Sequence, residues 1–498
     1  MSRINTNVNS LIAQRILGHQ NNALNKSLER LSTGLQINRG ADNPAGLIAS
    51  ENLRSEKAAI SAAIGNAERA DQVINIAEGG LQEISSLLVE IQSLVGEAAN
   101  NAGLSREERE ANQLQIDSIL QTIDRIASAT SFQGTKLLNG TYDFTVSGQS
   151  TDVLDFRINA AKLTHGNNRN VQVVVTGSAQ RGTLLLSTGA TLDLTDSDSR
   201  FVFEVAGSKG SRVFTFASGT SVDAIASAIN TFSEVTGVTA VVSAAYGVSL
   251  RSGEFGSDEF VSVKVVDDGG STGGITGYNA TSERTKGASL TTFAAATNPV
   301  RDAGQDVQAI INGITATAKG TRVAINTDFL DLSLKLSEDG ATNLASIDAF
   351  TITGGGATFN LGPKVNIINQ VSIGLENVAV RNLGAQGTGY LDKLGSGQSF
   401  NVVNGDLTVA QKVVDSAVSQ ISALRGRLGA FQKNVVGATI RSLGVALENT
   451  SAAESSIRDT DFASQTAELT RSQILVNAST SVLRIANSQP QSVLSLLG

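Results

Sequence analysis

The chain contains no cysteine. That excludes a disulfide framework, a thiolate nucleophile and thiolate metal ligands. Tryptophan is also absent, and aromatic residues make up only 4% of the 498 positions. Any core must therefore be packed with Ala, Val, Ile and Leu. The two histidines, His19 and His165, have no second histidine near them in sequence. They offer little from which to assemble a Ser-His-Asp triad and read as solvated surface residues. Basic residues number 38 against 46 acidic ones, a formal net charge of −8. That mild acidity argues against nucleic acid, which needs a basic face to neutralise phosphates. No apolar run is long enough to span a membrane, and Met1–Val8 lacks the apolar core of a secretory signal. The expectation is a protein that stays in the cytoplasm or is exported with its N-terminus intact. No Walker A pattern occurs, and Gly354-Gly355-Gly356 lacks the following Lys and helix that phosphate binding needs. No cofactor is expected.

What the chain does have is helical periodicity at both ends. Leu24, Leu28, Leu31 and Leu35 recur at spacings of 4, 3 and 4. Leu81, Ile84, Leu88, Ile91, Val95 and Ala98 continue the pattern, and Ile116, Ile119, Ile123 and Ile126 mark another helix. Toward the C-terminus come Val414, Ala417, Ile421, Leu424, Leu428, Phe431, Val435 and Ala438, then Leu475, Ala478, Val482 and Ile485. Alternating 3 and 4 spacing is the seam of a coiled coil, and neighbours such as Leu87 and Leu94 widen it to serve more than one partner. An ordinary helical bundle is the plainer reading of the same spacing. Gly40-Ala41-Asp42-Asn43-Pro44 divides two helices, with Asn43 as cap and Pro44 at the first helical position. A helix from about Ala45 to Asn100 would be roughly 80 Å long. Ser105 with Glu107 and Glu108 signals the next helix start.

Between about 140 and 400 the composition shifts to Gly, Thr, Val and Ser with closely spaced turns. Tyr142–Val146 and Val153–Ile158 read as strands around a Gly-containing turn. Arg200–Val205 and Arg212–Phe216 alternate with period two across a Gly-rich turn, as a hairpin does. Ser221–Asn230 reads as a short amphipathic helix, followed by strands at Thr239–Ala244, Val248–Leu250 and Val261–Val266. The fold class is therefore α+β and multidomain, with long coiled-coil-like helical ends pairing around a β-rich central insertion. The stretch of about 170–355 reads as self-contained and dispensable for whatever the ends do.

Both ends resemble those of bacterial flagellin, the subunit of the flagellar filament. Ile4-Asn5-Thr6-Asn7, Ser27-Leu28-Glu29-Arg30-Leu31-Ser32-Thr33-Gly34-Leu35 and Pro44-Ala45-Gly46-Leu47 are similar to the family's N-terminal signature. Ile457-Arg458-Asp459-Thr460-Asp461-Phe462-Ala463, Glu468-Leu469-Thr470-Arg471-Ser472-Gln473-Ile474-Leu475 and the closing Ala486–Leu497 resemble its C-terminal one. The resemblance covers about 1–165 and 360–498. Ser221–Asn230 with Gly237-Val238-Thr239-Ala240 also resembles a small α+β insertion of flagellins and hook-associated proteins.

The resemblance implies a division into an inner-tube helix (1–44), rod helices with a β-hairpin (45–165), β-rich outer domains (166–359), return strands with the C-terminal rod helix (360–459) and a second inner-tube helix (460–498). It implies a non-enzymatic subunit, exported unfolded through a type III channel to an extracellular flagellum, whose terminal helices order on assembly. The polymerisation seams would comprise Ile4, Val8, Leu11, Leu24, Leu28, Leu31, Leu35, Leu469, Leu475, Val482, Ile485 and Leu496. The rod core would comprise Leu81, Ile84, Leu88, Ile91, Val95, Val414, Ile421, Leu424, Leu428, Phe431 and Val435. The implied partners are other copies of the chain, the filament cap and hook–filament junction proteins, and an export chaperone. A host Toll-like receptor is a further implied partner, weakened because Glu90 and Gln92 stand where the family's receptor patch on Leu88–Val95 usually carries Arg. A hook–filament junction protein, which shares such terminal helices, is the alternative.

Overall fold

The computed structural model describes residues 6–100, 103–164, 167–196, 198–243, 247–279 and 282–494. Ile4, Leu496 and His165, named above, lie outside the described residues. The longer helices are α1 (Val8–Thr33), α2 (Pro44–Ala98), α3 (Arg106–Ala129), α4 (Val222–Thr231), α5 (Leu407–Phe431), α6 (Gly437–Arg458) and α7 (Phe462–Leu494). Two compact units emerge. One is drawn from Met1–Gln72, Asn360–Asn369 and Gly429–Gly498, the other from Val73–Phe359 and Gln370–Leu428.

The helix boundaries follow local chemistry. The Asn7 side chain accepts the Ser10 amide to start α1, and Gly34 ends it in the left-handed region at φ +73°. Asn43 accepts the Gly46 amide at 2.9 Å, with Pro44 first in α2. A Cβ at Gly46 would lie 2.6 Å from the Asn43 side chain and 2.7 Å from Ile37, so a larger residue there would displace the capping side chain. Ser105 and Glu108 form a full capping box on α3.

In the second unit, the later half of α2 shares its buried apolar line with α3 and α5. Arg425 reaches Glu78 at 2.8 Å and Gln92 donates to Asp415 at 2.8 Å, fixing α5 against α2. The rest of this unit is two nested β-sandwiches. The inner one pairs a five-stranded sheet (Phe144–Ser147, Arg169–Gly177, Gln308–Ile311, Ile314–Thr315, Ser346–Gly355) with a four-stranded sheet (Val153–Ala161, Thr317–Lys319, Arg322–Asn326, Leu330–Leu336). Both face one core containing Val171, Val173, Leu332, Leu334, Phe350 and Ile352.

The distal sandwich is inserted into the inner one. Its sheets comprise Thr183–Ser187, Val238–Ser243, Gly247–Ser252, Gly274–Asn279 and Ser282–Thr292, and then Arg200–Gly207, Ser211–Ala217, Phe260–Asp267 and Val300–Ala303. The expected hairpin is present, with Phe201 opposite Phe216 and Phe203 opposite Phe214. Phe201 meets Phe203 and Phe293 in tilted pairs with ring centroids 4.9 and 4.8 Å apart, in the core of this sandwich. Helix α4, capped by Ser221, buries Val222, Ile225, Ala226 and Ile229 against it.

Two expectations about the middle differ from the structure. Phe144–Ser147 and Val153–Ala161 do not form a hairpin. The first pairs with Ser346–Gly355 and the second with Leu330–Leu336, in different sheets. The boundary expected at residue 165 also cuts through a core, since Phe144, Val153 and Ile158 are buried with residues 171–352.

Candidate assembly surface

Helices α1 and α7 pack antiparallel. The Asn7 side chain donates to the Ala486 carbonyl at 2.7 Å, Ser10 Oγ to Asn487 at 2.6 Å, and Gln465 to Ser27 Oγ at 3.0 Å. Burial identifies the facing residues. On α1 they are Ser10, Ala13, Leu17, Gln20, Leu24, Ser27 and Leu31; on α7 they are Gln465, Leu469, Ser472, Val476, Ser479, Leu483 and Ala486. Both series alternate 3 and 4, and the fully buried members are the small ones: Ser10, Ala13, Ser27, Ser472 and Ala486. Small side chains let the two backbones approach closely, but they bury little apolar area.

The larger aliphatic residues divide: Leu17, Leu24, Leu31, Leu469, Val476 and Leu483 are half-buried on this seam, and the others point away from it. On α1, Val8 (54% exposed), Leu11 (58%), Ile12 and Ile16 face out, as does Leu28. On α7, Ile474 (62%), Leu475, Val482 (56%) and Ile485 (63%) form a second stripe. Of the sequence-derived seam residues, Leu24, Leu31 and Leu469 therefore lie on the face between α1 and α7. Val8, Leu11, Leu28, Leu475, Val482 and Ile485 lie on outward faces. Leu35 is half-buried beyond the end of α1. The line Leu475, Ala478, Val482, Ile485 is one position out of phase with the paired seam.

A short extended segment joins the pair to the helices that follow. Leu35 bridges Asp459, Gln36 N–H donates to the Arg458 carbonyl at 2.7 Å, and Thr460 N–H to the Gly34 carbonyl at 2.9 Å. Asp42 anchors the turn by accepting the Asn38 and Arg39 amides and the Lys26 ammonium at 2.9 Å. The Lys26 hydrogen bond, with the Arg39 amide next, holds its carboxyl down to about 2. Farther along, Lys57 pairs with Glu454 and Arg458 with Glu51, linking α2 to α6. No residue of α6 is buried, and Val445 is 59% exposed.

Of the rod residues, Leu81, Ile84, Leu88, Ile91, Val95, Val414, Ile421, Leu424 and Leu428 are buried. Phe431 and Val435 are only half-buried, and Val436 is buried in their place. For Val435 and Val436 the cause is a π-helical turn at Gln432–Val436, which Phe431 precedes. One extra residue per turn rotates the following side chains out of the α-helical phase. Gln432 donates to Asp71 at 2.8 Å within this stretch. Glu90 is exposed, Gln92 is engaged with Asp415, and Ile91 and Leu94 are buried rather than presented beside them.

Among the described residues no group of three His, Cys, Asp or Glu side chains could hold a metal ion, and no helix is long and apolar enough to cross a membrane.

Comparison with known proteins accounts for this arrangement. Residues 4–143 match the bacterial flagellin N-terminal helical region, 411–497 the bacterial flagellin C-terminal helical region, and 200–254, within the distal sandwich, the flagellin hook IN motif. Flagellin B of Helicobacter pylori is 28% identical over 531 aligned positions, covering 99% of each chain. The B-type flagellin of Pseudomonas aeruginosa is 29% identical over 523, and the flagellin of Salmonella typhimurium 28% over 518, again covering 99% of each chain. With terminal helices that match at both ends and relatives aligned from end to end, the chain belongs to the bacterial flagellins.

Proposed function

We propose that this filament subunit polymerises through the outward aliphatic stripes of α1 and α7, while the small-residue seam between them sets their pairing. Flagellins build the flagellar filament, so the exposed Val8, Leu11, Ile474, Val482 and Ile485 have copies of the same chain to bury against. One observation carries the reading: besides the leucines on their shared seam, the terminal helices carry further large aliphatic residues, Val8, Leu11, Ile12, Ile474, Val482 and Ile485 among them, that stay exposed in the subunit. A lone soluble pair gains nothing from that exposure, whereas a tube of copies does. Each fully buried Leu or Ile contributes about 1.5–3 kcal/mol. Ordering a helix of some thirty residues costs about 1–2 kcal/mol per residue in backbone entropy, offset only in part before neighbours arrive. The pair is therefore marginal alone and completed by assembly.

In this reading the chain is structural rather than catalytic and needs no cofactor. It is exported unfolded with the help of a chaperone and resides in the extracellular filament. There it meets the cap at the growing end and the junction proteins at the base. Recognition by a Toll-like receptor is weakened, because exposed Glu90 offers the wrong charge and Gln92 is engaged with Asp415.

The test removes residues 1–43 and 460–498. The trimmed chain is expected to stay a soluble monomer with a cooperative melt, while the full chain gains helical circular dichroism on seeding and extends seeds without limit. Filaments from the trimmed chain would overturn the proposal. A full chain that adds only a few layers to a seed would favour a junction role.

A further inference from the structure

The chain holds three Asn-Gly pairs, Asn139-Gly140, Asn312-Gly313 and Asn404-Gly405. Asparagine followed by glycine is the pair most prone to cyclise, because a glycine amide, with no Cβ beside it, can reach the asparagine side-chain carbon. The fold treats the three differently. At Asn312 both ends of the side chain are tied: Oδ1 accepts the Gln172 amide at 2.8 Å and Nδ2 donates to the Asn170 carbonyl at 2.9 Å. Its turn is fixed as well, with Asn312 at φ +48° and Gly313 at +83°. At Asn404 the nucleophile is committed, since the Gly405 amide donates to the Asn401 carbonyl at 2.8 Å.

Asn139 has neither restraint. It is exposed, and among the described residues neither its Nδ2 nor the Gly140 amide donates to a protein acceptor. Its Oδ1, by contrast, accepts the Thr141 amide at 3.1 Å and the Thr141 hydroxyl at 2.7 Å. Those two donors sit on the one atom that gains negative charge when the side-chain carbonyl is attacked, at distances that stabilise an oxyanion. We propose that Asn139-Gly140-Thr141 is a modification site at which the chain deamidates itself. Solvent hydroxide removes the Gly140 amide proton. The nitrogen bonds to Asn139 Cγ, and Oδ1 becomes an oxyanion under the Thr141 donors. The Cγ–Nδ2 bond then breaks, Nδ2 leaves as ammonia with a proton from water, and a succinimide remains. Water opens that ring to Asp or isoAsp. The Asp carboxylate keeps both Thr141 donors and holds them more strongly, because the acceptor is now charged. IsoAsp instead lengthens the main chain by one carbon between buried Leu138 and strand Phe144–Ser147.

The test follows the full chain in mildly alkaline buffer by peptide mapping, reading the mass change from amide to acid at each pair. In the folded chain Asn139 is expected to convert at least about tenfold faster than Asn312 or Asn404. In denaturant the three rates should converge. Thr141→Val keeps the amide donor and removes the hydroxyl, so conversion of Asn139 should slow about fivefold, the worth of one exposed hydrogen bond. Its melting temperature should not move, because Thr141 is exposed. Thr141→Ser, which retains the hydroxyl, should match wild type. Similar rates at the three pairs in the folded chain would overturn the proposal, as would a Thr141→Val chain that converts like wild type. An Asn139 lead that persists in denaturant would trace to local sequence rather than to the fold, and would overturn it too.

Discussion

Val482 and Leu483 are adjacent on α7 yet face opposite ways, so the same substitution at each should act on a different state. Val482 is 56% exposed in the subunit, whereas Leu483 is half-buried on the seam with α1. Val482→Asp removes no packed contact from the monomer, and its melting temperature should move little, as exposed substitutions usually shift stability by under about 0.5 kcal/mol. In the filament the change has two costs. The burial still available to Val482, roughly half a side chain, is worth about 1 kcal/mol. A carboxylate must also be desolvated or kept wet in an apolar contact, for at least about 2 kcal/mol more. Together that is about 3 kcal/mol per added subunit, or roughly a hundredfold rise in critical concentration. Leu483→Asp should instead weaken the α1–α7 pair itself, visible as a smaller gain of helical circular dichroism on seeding. The assay is sedimentation of seeded polymer across a concentration series, with circular dichroism on the supernatant. Filaments of Val482→Asp at the wild-type critical concentration would refute the assignment of the outward stripe.

Four further outcomes follow from the rest of the chain. Deleting residues 183–302, with a short Gly-Ser link, should leave a folded inner sandwich and normal filaments, because Gln180 and Gln305 already exchange backbone hydrogen bonds at 2.9 Å; loss of filament growth would contradict this. Joining residue 170 to 356 should fail, since it strips Phe144–Ser147 and Val153–Ala161 of their sheet partners. Burial, more than the nearby Glu376, pushes the Asp143 carboxyl up from 3.8 to about 6 against its amide bond from Phe144 and the charges of Arg427 and Arg157. The unfolded carboxyl then ionises first, so stability falls as pH rises through that window and levels off above it; melts at several pH values should show the slope flattened in Asp143→Asn. Glu90→Arg should raise receptor signalling by about tenfold in a cell reporter assay, and an unchanged response would remove Glu90 from the argument.

The rod was legible in the sequence because its buried line, Leu81 to Val95 and Val414 to Leu428, is made of large aliphatics at heptad spacing. The terminal pair was legible as helices and in part as a seam, through Leu24, Leu31 and Leu469. Its true seam includes Ser10, Gln20, Ser27, Gln465, Ser472 and Ser479, which no hydrophobic period reveals. The large residues one position away drew the phase to the outward face. Val435 fell out of line because a π turn leaves no mark in aliphatic spacing. In the middle, the Phe201–Phe216 hairpin could be read because its strands are neighbours in sequence. Strands 144–147 and 153–161 find partners about two hundred residues away, and local pattern carries no information about that.

The most direct measurement is a helical reconstruction of the assembled filament at side-chain resolution. The account predicts Ser10, Ala13, Ser472 and Ala486 between α1 and α7 of one subunit, with Val8, Leu11, Ile474, Val482 and Ile485 buried against neighbouring copies. A filament in which those five side chains face open water would contradict it.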